Sequence, residues 1–252
     1  MNDSKLNQGV NYQLEKTSDM YLKVKEKFSR DLFDKIFTFL NTNCIIAEVG
    51  PGLGHFALEC KSRRLNYIGF EPSKRLREDL NRKDINVVDA LIPPIPLEDE
   101  SCDLVYASMI LEHLPSHVDA ANLVSEVARV LKDAGHVCLV VPNYLTSKEF
   151  FFEMDYTHSF VTTKRRVTNL LRDADIKVVD VQHVIGWFWV RSGFFHHILR
   201  HFVNTIMIPV HFGITTWLFE YIGQENFLWK IRKTLFESLI IIGKKVEQKE
   251  EL

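Results

Sequence analysis

The sequence has little of what marks a secreted, membrane-spanning or nucleic-acid-coating protein. Its 252 residues hold four cysteines, Cys44, Cys60, Cys102 and Cys138, widely spaced and without a C-x-x-C pair. That pattern offers no zinc framework, so buried free thiols in a reducing cytoplasm are expected. Residues 1–19 read as a flexible polar leader with no apolar core, which argues against a secretory signal. The stretch 201–219 lacks Asp, Glu, Lys and Arg, but His201, Asn204, Pro209, His211, Gly213, Thr215 and Thr216 interrupt it. It is not expected to span a bilayer, which takes about 20 predominantly apolar residues. A basic excess is missing too: 31 Lys plus Arg stand against 33 Asp plus Glu, a net charge of −2. A protein built to coat nucleic acid would show the opposite balance. There is no internal repeat and no low-complexity segment. With 46% hydrophobic and 25% charged residues, wholesale disorder is excluded as well.

What is present is an alternation of short apolar runs and amphipathic segments. Leu22, Phe28, Leu32, Phe33, Ile36, Phe39 and Leu40 recur at helical spacing and predict a helix over 20–40. The run 44–49 predicts a strand. Helices follow over 54–64, 73–83 and 118–132, with strands over 66–70, 85–88, 103–108 and 137–141. Ser73 suits an N-cap, and Gly135 a helix end. This rhythm predicts an α/β fold with a doubly wound, mostly parallel sheet. Beyond Pro142 a helix over 162–174, a strand over 176–183, a mostly helical aromatic segment over 186–236 and a last strand over 238–243 complete the chain. The boundaries expected are a core domain of 20–185 and 237–246, an insertion at 186–236 and a charged tail at 247–252.

The turn Glu48-Val-Gly50-Pro-Gly52-Leu-Gly54 follows a strand and opens a helix. Glycines there let the backbone turn tightly and approach a ligand. The turn lacks the Gly-Lys-Ser/Thr of a phosphate loop, and its glycine spacing differs from the dinucleotide fingerprint. Glu71 closes the second strand 19 residues after Gly52, where a carboxylate can accept from a ribose diol. Asp89 closes the third strand, placed to accept from an adenine amine. All three points lie at carboxyl ends of neighbouring strands, the ligand edge of open α/β sheets.

These residues carry a resemblance. EVGPGLG at 48–54, GFEPS at 69–73, VVDA at 87–90, CDLVYASMILEHL at 102–114 and LKDAGHVCLVVPN at 131–143 resemble the class I S-adenosylmethionine-dependent methyltransferases, in the broad group that includes the ubiquinone-pathway enzymes. DYTHSFVTTKRRVTNLLRDADIKVVDV at 155–181 resembles a stretch common in glycan-directed relatives, and SLIIIGKK at 238–245 the family's last strand. The likeness covers about 44–183 plus 238–245. It implies a Rossmann-like seven-stranded sheet whose last strand is antiparallel, with an N-terminal helix and a helical insertion before that strand. It implies the cofactor S-adenosylmethionine, with Gly50, Gly52 and Gly54 along its methionine part. Glu48 would lie at the ammonium, Glu71 at the ribose, Asp89 at the adenine amine, and Ala90 and Leu91 beside the adenine. Pro72 and the proline-rich run 91–97 depart from the family pattern.

Methyl transfer to a hydroxyl needs a group to take the proton. His113, just past the fourth strand, and His158 and Asp155, in a loop before a helix, are the candidates, with Tyr156 beside them. The same residues could instead cap a helix or lock a loop. No metal is expected: Glu112 and Asp155 lack a supporting i,i+4 pattern, and His197 with His201 lacks a third ligand. The favoured acceptor is a small molecule, glycan or lipid-linked hydroxyl. A quinone-type acceptor and a non-catalytic cofactor-binding subunit stay open, whereas nucleic acid is not expected. The insertion 186–236 carries 13 aromatics, including all four tryptophans, near Arg191, Arg200, Lys230, Arg232 and Lys233. It reads as an acceptor cap, as a peripheral contact with the cytoplasmic face of a membrane, or as an oligomer interface. The expected location is cytoplasmic.

Overall fold

The computed structural model describes residues 19–40, 43–185, 213–234 and 236–247. The first helix, α1 (Asp19–Phe37), leads into the parallel strand β1 (Ile45–Val49). Next come α2 (His55–Ser62), β2 (Asn66–Phe70), α3 (Lys74–Arg82), the two-residue β3 (Val87–Val88) and β4 (Cys102–Ser108). A single 3₁₀ turn, Leu111–His113, precedes α4 (His117–Val130), β5 (Leu131–Pro142), the short α5 (Tyr144–Ser147) and α6 (Phe150–Met154). The chain continues through α7 (Lys164–Asp173) and β6 (Ile176–Ile185), then α8 (Gly213–Tyr221), α9 (Glu225–Thr234) and β7 (Glu237–Lys245).

The strands form one seven-stranded sheet in the order β3-β2-β1-β4-β5-β7-β6. β1 pairs in parallel with both β2 and β4, and β7 runs antiparallel to β5 and β6. The expected α/β class, the strand number and the antiparallel last strand are all present. Beyond β1 the chain builds outward on one side through β2 and β3, then returns to lay β4 on the other. The tips of β1 and β4 therefore flank the topological switch point, where such sheets open a crevice.

Period-two alternation assigns each side chain to a face. Ile46, Leu104, Tyr106, Cys138, Val140, Ile240 and Ile242 pack against Phe28, Leu32, Phe33 and Ile36 of α1 and Phe56 and Cys60 of α2. Their neighbours Ala47, Val105, Ala107, Leu139, Val141 and Ile241 face α4 and α7 on the other side. Buried on both faces, the central strands read as near-continuous apolar runs. All four cysteines are buried and free, as their spacing predicts.

Three local expectations need correction. The fourth helix ends at Val130, before Gly135, because Leu131 turns extended and pairs with Cys102. Gly135 instead lies within β5, where the pairing register shifts and Ala134 takes a positive φ of 60°. Ser73 occupies the N-cap position of α3, but its hydroxyl caps nothing. The first helix stops at Phe37, and Thr38 to Leu40 close it as a turn. The leader 1–18, the tail from 248 and residues 186–212 of the insertion lie outside the described residues; 213–234 are helical, as expected for that segment.

Candidate functional site

The glycine turn sits at the tip of β1, anchored by Gly50 N–H donating to Phe70 O at 2.9 Å. Gly50, Gly52 and Gly54 have φ of 68°, 54° and 82°, a region that L side chains enter at a cost. Two of them are also needed for space. A Cβ on Gly50 would stand 2.3 Å from Ile110 Cδ1, and one on Gly54 2.5 Å from Leu80 Cδ2. A Cβ on Gly52 would meet nothing within 4 Å. The middle glycine thus faces open space, where a ligand's atoms could lie against bare backbone.

Around that space stand the acids of the first three strand tips. Glu71 is buried, and its two oxygens accept from Gly52 N–H at 3.2 Å and Ser73 N–H at 2.9 Å. It therefore braces the glycine turn from β2 while each oxygen keeps a further lone pair. Burial raises its pKa, offset in part by those amides and by Arg77. Glu48, on the face shared with Ile46, accepts from the Tyr67 hydroxyl at 2.7 Å. Burial pushes its pKa up to about 8 against the Tyr67 hydrogen bond, with the Glu71 charge adding to the rise. An ammonium is the natural partner for such a carboxylate. Asp89 is exposed and ion-paired with Arg77 Nη2 at 2.6 Å, while Arg77 Nη1 donates to Glu71 O. Ala90 packs against the core, and Leu91 is exposed. The open cradle, the two buried acids and the third at the rim suit a cationic nucleoside of the S-adenosylmethionine type.

The histidines come from distant parts of the chain. Met109, at φ 56°, swings the chain off β4 into the 3₁₀ turn of Glu112 and His113. Glu112 O accepts from Ser159 N–H at 2.8 Å and Phe160 N–H at 3.0 Å, which staples the 155–160 loop to that turn. His113 and His158 consequently lie edge to face, with ring centroids 4.9 Å apart. A Cβ on Gly50 would meet Ile110, whose carbonyl accepts from His113 N–H at 3.0 Å, so the 3₁₀ turn adjoins the glycine turn.

Hydrogen-bond partners assign both tautomers. His158 Nδ1 is 2.6 Å from Phe151 O, which can only accept, so Nδ1 carries the proton. His113 Nδ1 is 2.7 Å from Thr157 Oγ1. The Thr157 hydroxyl donates its one proton to Asp155 Oδ1 at 2.6 Å, so His113 Nδ1 also donates. Each Nε2 is left with an open lone pair. Burial holds His113 neutral, with its pKa down to about 4 and the neighbouring His158 adding to the shift. Burial likewise lowers His158. Asp155 is held below its ordinary value: burial raises it, but the Thr157 hydroxyl and amide and the two imidazoles outweigh that. Asp155 therefore acts on His113 through Thr157. Tyr156 is 79% exposed.

Three nearby groups were not singled out as site residues from sequence. Glu112 is fully buried, and neither carboxylate oxygen has a hydrogen-bond partner. Burial raises it to about 8, Asp155 adds to the rise and Lys25 opposes it. Lys25 of α1 is itself held well below its ordinary value by burial and by Lys233. His55, directly after Gly54, has both ring nitrogens buried and unpartnered, and burial with Lys25 and Lys83 lowers it to about 4. A histidine opening the helix after the glycine turn was the available signal for His55. Nothing in the spacing of Lys25 announces that α1 brings it to this crevice.

Sheet order places the glycine turn and the acidic strand tips at the switch point of a Rossmann-like α/β sheet, the fold that class I methyltransferases share. Comparison with known proteins agrees. Residues 47–139 match the family described as methyltransferase domain. A probable S-adenosylmethionine-dependent methyltransferase of Mycobacterium tuberculosis is 29% identical over 100 residues, covering 40% of this chain and 35% of that protein. The match thus spans about a third of that relative's length. Among solved structures, a SAM-dependent methyltransferase from Archaeoglobus fulgidus superposes with a TM-score of 0.58 at 20% identity, over 90% of this chain and 100% of that one. A phosphoethanolamine N-methyltransferase from Haemonchus contortus, bound to phosphomonomethylethanolamine and S-adenosylhomocysteine, gives a TM-score of 0.57 at 15% identity, over 93% of this chain and 59% of that one. At these identities, the structures speak for the fold.

Proposed function

We propose that this chain transfers the methyl group of S-adenosylmethionine to a hydroxyl of a small-molecule, glycan or lipid-linked acceptor. The observation that carries the reading is the pair of neutral imidazoles with open Nε2 lone pairs, one of them on the 3₁₀ turn that adjoins the glycine turn. The bound cofactor would supply an electrophilic methyl on a sulfonium; the protein's part is alignment and proton handling. Gly50, Gly52 and Gly54 provide the cradle and Glu48 a counter-charge for the ammonium. Glu71 serves the ribose diol, and Asp89, Ala90 and Leu91 the adenine edge. His113 or His158 takes the hydroxyl proton at Nε2, since each is neutral at physiological pH. Asp155, through Thr157, keeps His113 in the required tautomer.

The insertion is the acceptor side. Trp217, Tyr221, Ile222 and Phe227 of the α8–α9 segment are exposed, which supports a peripheral contact where a lipid-linked acceptor would be met. The decisive experiment measures S-adenosylhomocysteine release with glycan, lipid-linked and quinone-type hydroxyl acceptors, alongside calorimetric cofactor binding. His113→Ala and His158→Ala are expected to keep cofactor affinity, and at least one of them to lose turnover by about 100-fold or more, the usual scale of general-base catalysis. Unchanged turnover in both would remove the base assignment.

A further inference from the structure

Glu112, His113 and His158 form a second kind of site in the same crevice. One potential ligand atom from each lies within 4.8 Å of those from the other two. Two observations distinguish this cluster from a chance meeting of polar groups. The first is that Glu112 is fully buried with both oxygens lacking any hydrogen-bond partner. An ionised carboxylate in that state is costly unless something positive meets it. The second is how the histidines are held. Each spends Nδ1 on a fixed acceptor, Phe151 O for His158 and Thr157 Oγ1 for His113, with Asp155 behind Thr157. That is the outer-shell arrangement that aims a ligating imidazole and sets its tautomer.

We propose that Glu112, His113 and His158 bind one divalent transition-metal ion through a Glu112 carboxylate oxygen and the two Nε2 atoms. Two imidazoles and one carboxylate suit zinc or ferrous iron and leave positions open toward the crevice. Metal–ligand bonds of about 2.0–2.2 Å require the three donors to draw in to roughly 3–3.5 Å of one another. The charges facing the cluster are Lys25, which disfavours a cation, and Asp155, which favours one. Metal ligation and proton acceptance use the same lone pairs and exclude each other. If the histidine-base reading of the methyl transfer holds, zinc therefore inhibits turnover.

Zinc is the probe. The full chain, stripped with chelator, is titrated with ZnCl₂ by calorimetry, and the loaded protein is examined by zinc X-ray absorption. The expected result is one zinc per chain at micromolar affinity or tighter, with two imidazoles in the first shell. Glu112→Gln and His158→Ala should each weaken binding by at least 100-fold. Thr157→Val should weaken it by about 10-fold, the usual effect of an outer-shell partner. Should the Glu112 variant fold poorly, the imidazole count on the unaltered protein still decides. A shell with fewer than two imidazoles, no binding at 100 μM zinc (on the order of the affinity expected of a weak site), or binding lost only in His197→Ala would overturn the proposal. Zinc that binds here without slowing methyl transfer would leave the metal site standing and remove the histidine base.

Discussion

At the scale of single residues, the three glycines of the turn share a positive φ but answer to different constraints. Gly52→Ala adds a methyl that meets no protein atom, so only the left-handed backbone is penalised, by about 1–2 kcal/mol. Gly54→Ala carries that cost and must also displace the fully buried Leu80. Gly54→Ala should therefore melt lower than Gly52→Ala. Gly52→Ala, although folded, should lose at least about tenfold in S-adenosylmethionine affinity, because its methyl occupies the cradle. Calorimetry and thermal melts on the same preparations check both outcomes. Glu48 supplies a pH signature. Its pKa is raised in the folded chain, so the ionised form opposes folding, and stability falls as pH climbs from 4.5 toward 8. Glu48→Gln removes that penalty. Its ligand-free melting temperature should match the parent's near pH 4.5 and exceed it by several degrees at pH 8. Cofactor binding should do the reverse: the parent tightens as pH rises through about 8, and the glutamine variant binds weakly at every pH.

At the scale of elements, much was legible because it is local. The strands of 45–49 and 102–108 are apolar runs bounded by turns, and Glu71 and Asp89 mark strand tips by counting from Gly52. The cluster around His113 was not legible in full. His113 and His158 are 45 positions apart, and the bonds that bring their rings together, from Ser159 and Phe160 N–H to Glu112 O and between His113 and Thr157, are long-range. Glu112 itself stands in an apolar run, where a lone acid reads as a group that tethers a loop or the N-terminal helix. Helix ends were misread where a long-range pairing, Cys102 with Leu131, overrode the local stop at Gly135. A second long-range device holds the proline-rich segment after β3. Arg129 of α4 donates to Ile95 O at 2.8 Å and Leu97 O at 2.9 Å, and it ion-pairs with Asp99 and Glu126. Glu126 in turn accepts from Ile95 N–H at 2.9 Å. Arg129→Met keeps the aliphatic stem and deletes every one of these donors. It should lower stability by about 1–3 kcal/mol, the scale of charged hydrogen bonds discounted for partial exposure. It should also weaken cofactor binding severalfold if Ala90 and Leu91, from which that segment continues, border the adenine as proposed. Chemical denaturation and calorimetry read the two effects; unaltered affinity would detach the segment from the adenine edge.

At the scale of the whole molecule, charge and aromatic content part company. The net charge of −2 is spread over both signs, whereas 13 aromatics are concentrated between 186 and 236. Among the described residues, no helix is long and apolar enough to cross a membrane. The α8–α9 segment nevertheless turns apolar groups outward. Trp217 is 60% exposed and stacks on Tyr221, itself 77% exposed, with Ile222 and Phe227 also exposed. Of the cations that a headgroup contact would use, Arg232 is directed inward to Glu153 and Thr216, and Lys233 lies over the Trp229 ring. Lys230 is exposed, while Arg191 and Arg200 lie outside the described residues. A membrane contact through this segment would therefore rest more on ring burial than on charge. Full burial of one such ring contributes roughly 1.5–3 kcal/mol, so two of them govern the partition. The unaltered chain should pellet with anionic vesicles and keep doing so as salt rises to about 0.5 M, where exposed charge pairs are largely screened. Trp217→Ser with Phe227→Ser should cut the pelleted fraction by at least about tenfold while leaving S-adenosylmethionine affinity intact, since neither ring belongs to the glycine crevice. A chain that stays in the supernatant with anionic vesicles at low salt would end the membrane reading and return the insertion to a cap over the acceptor. Pelleting that collapses with salt would transfer the contact from the rings to the cations.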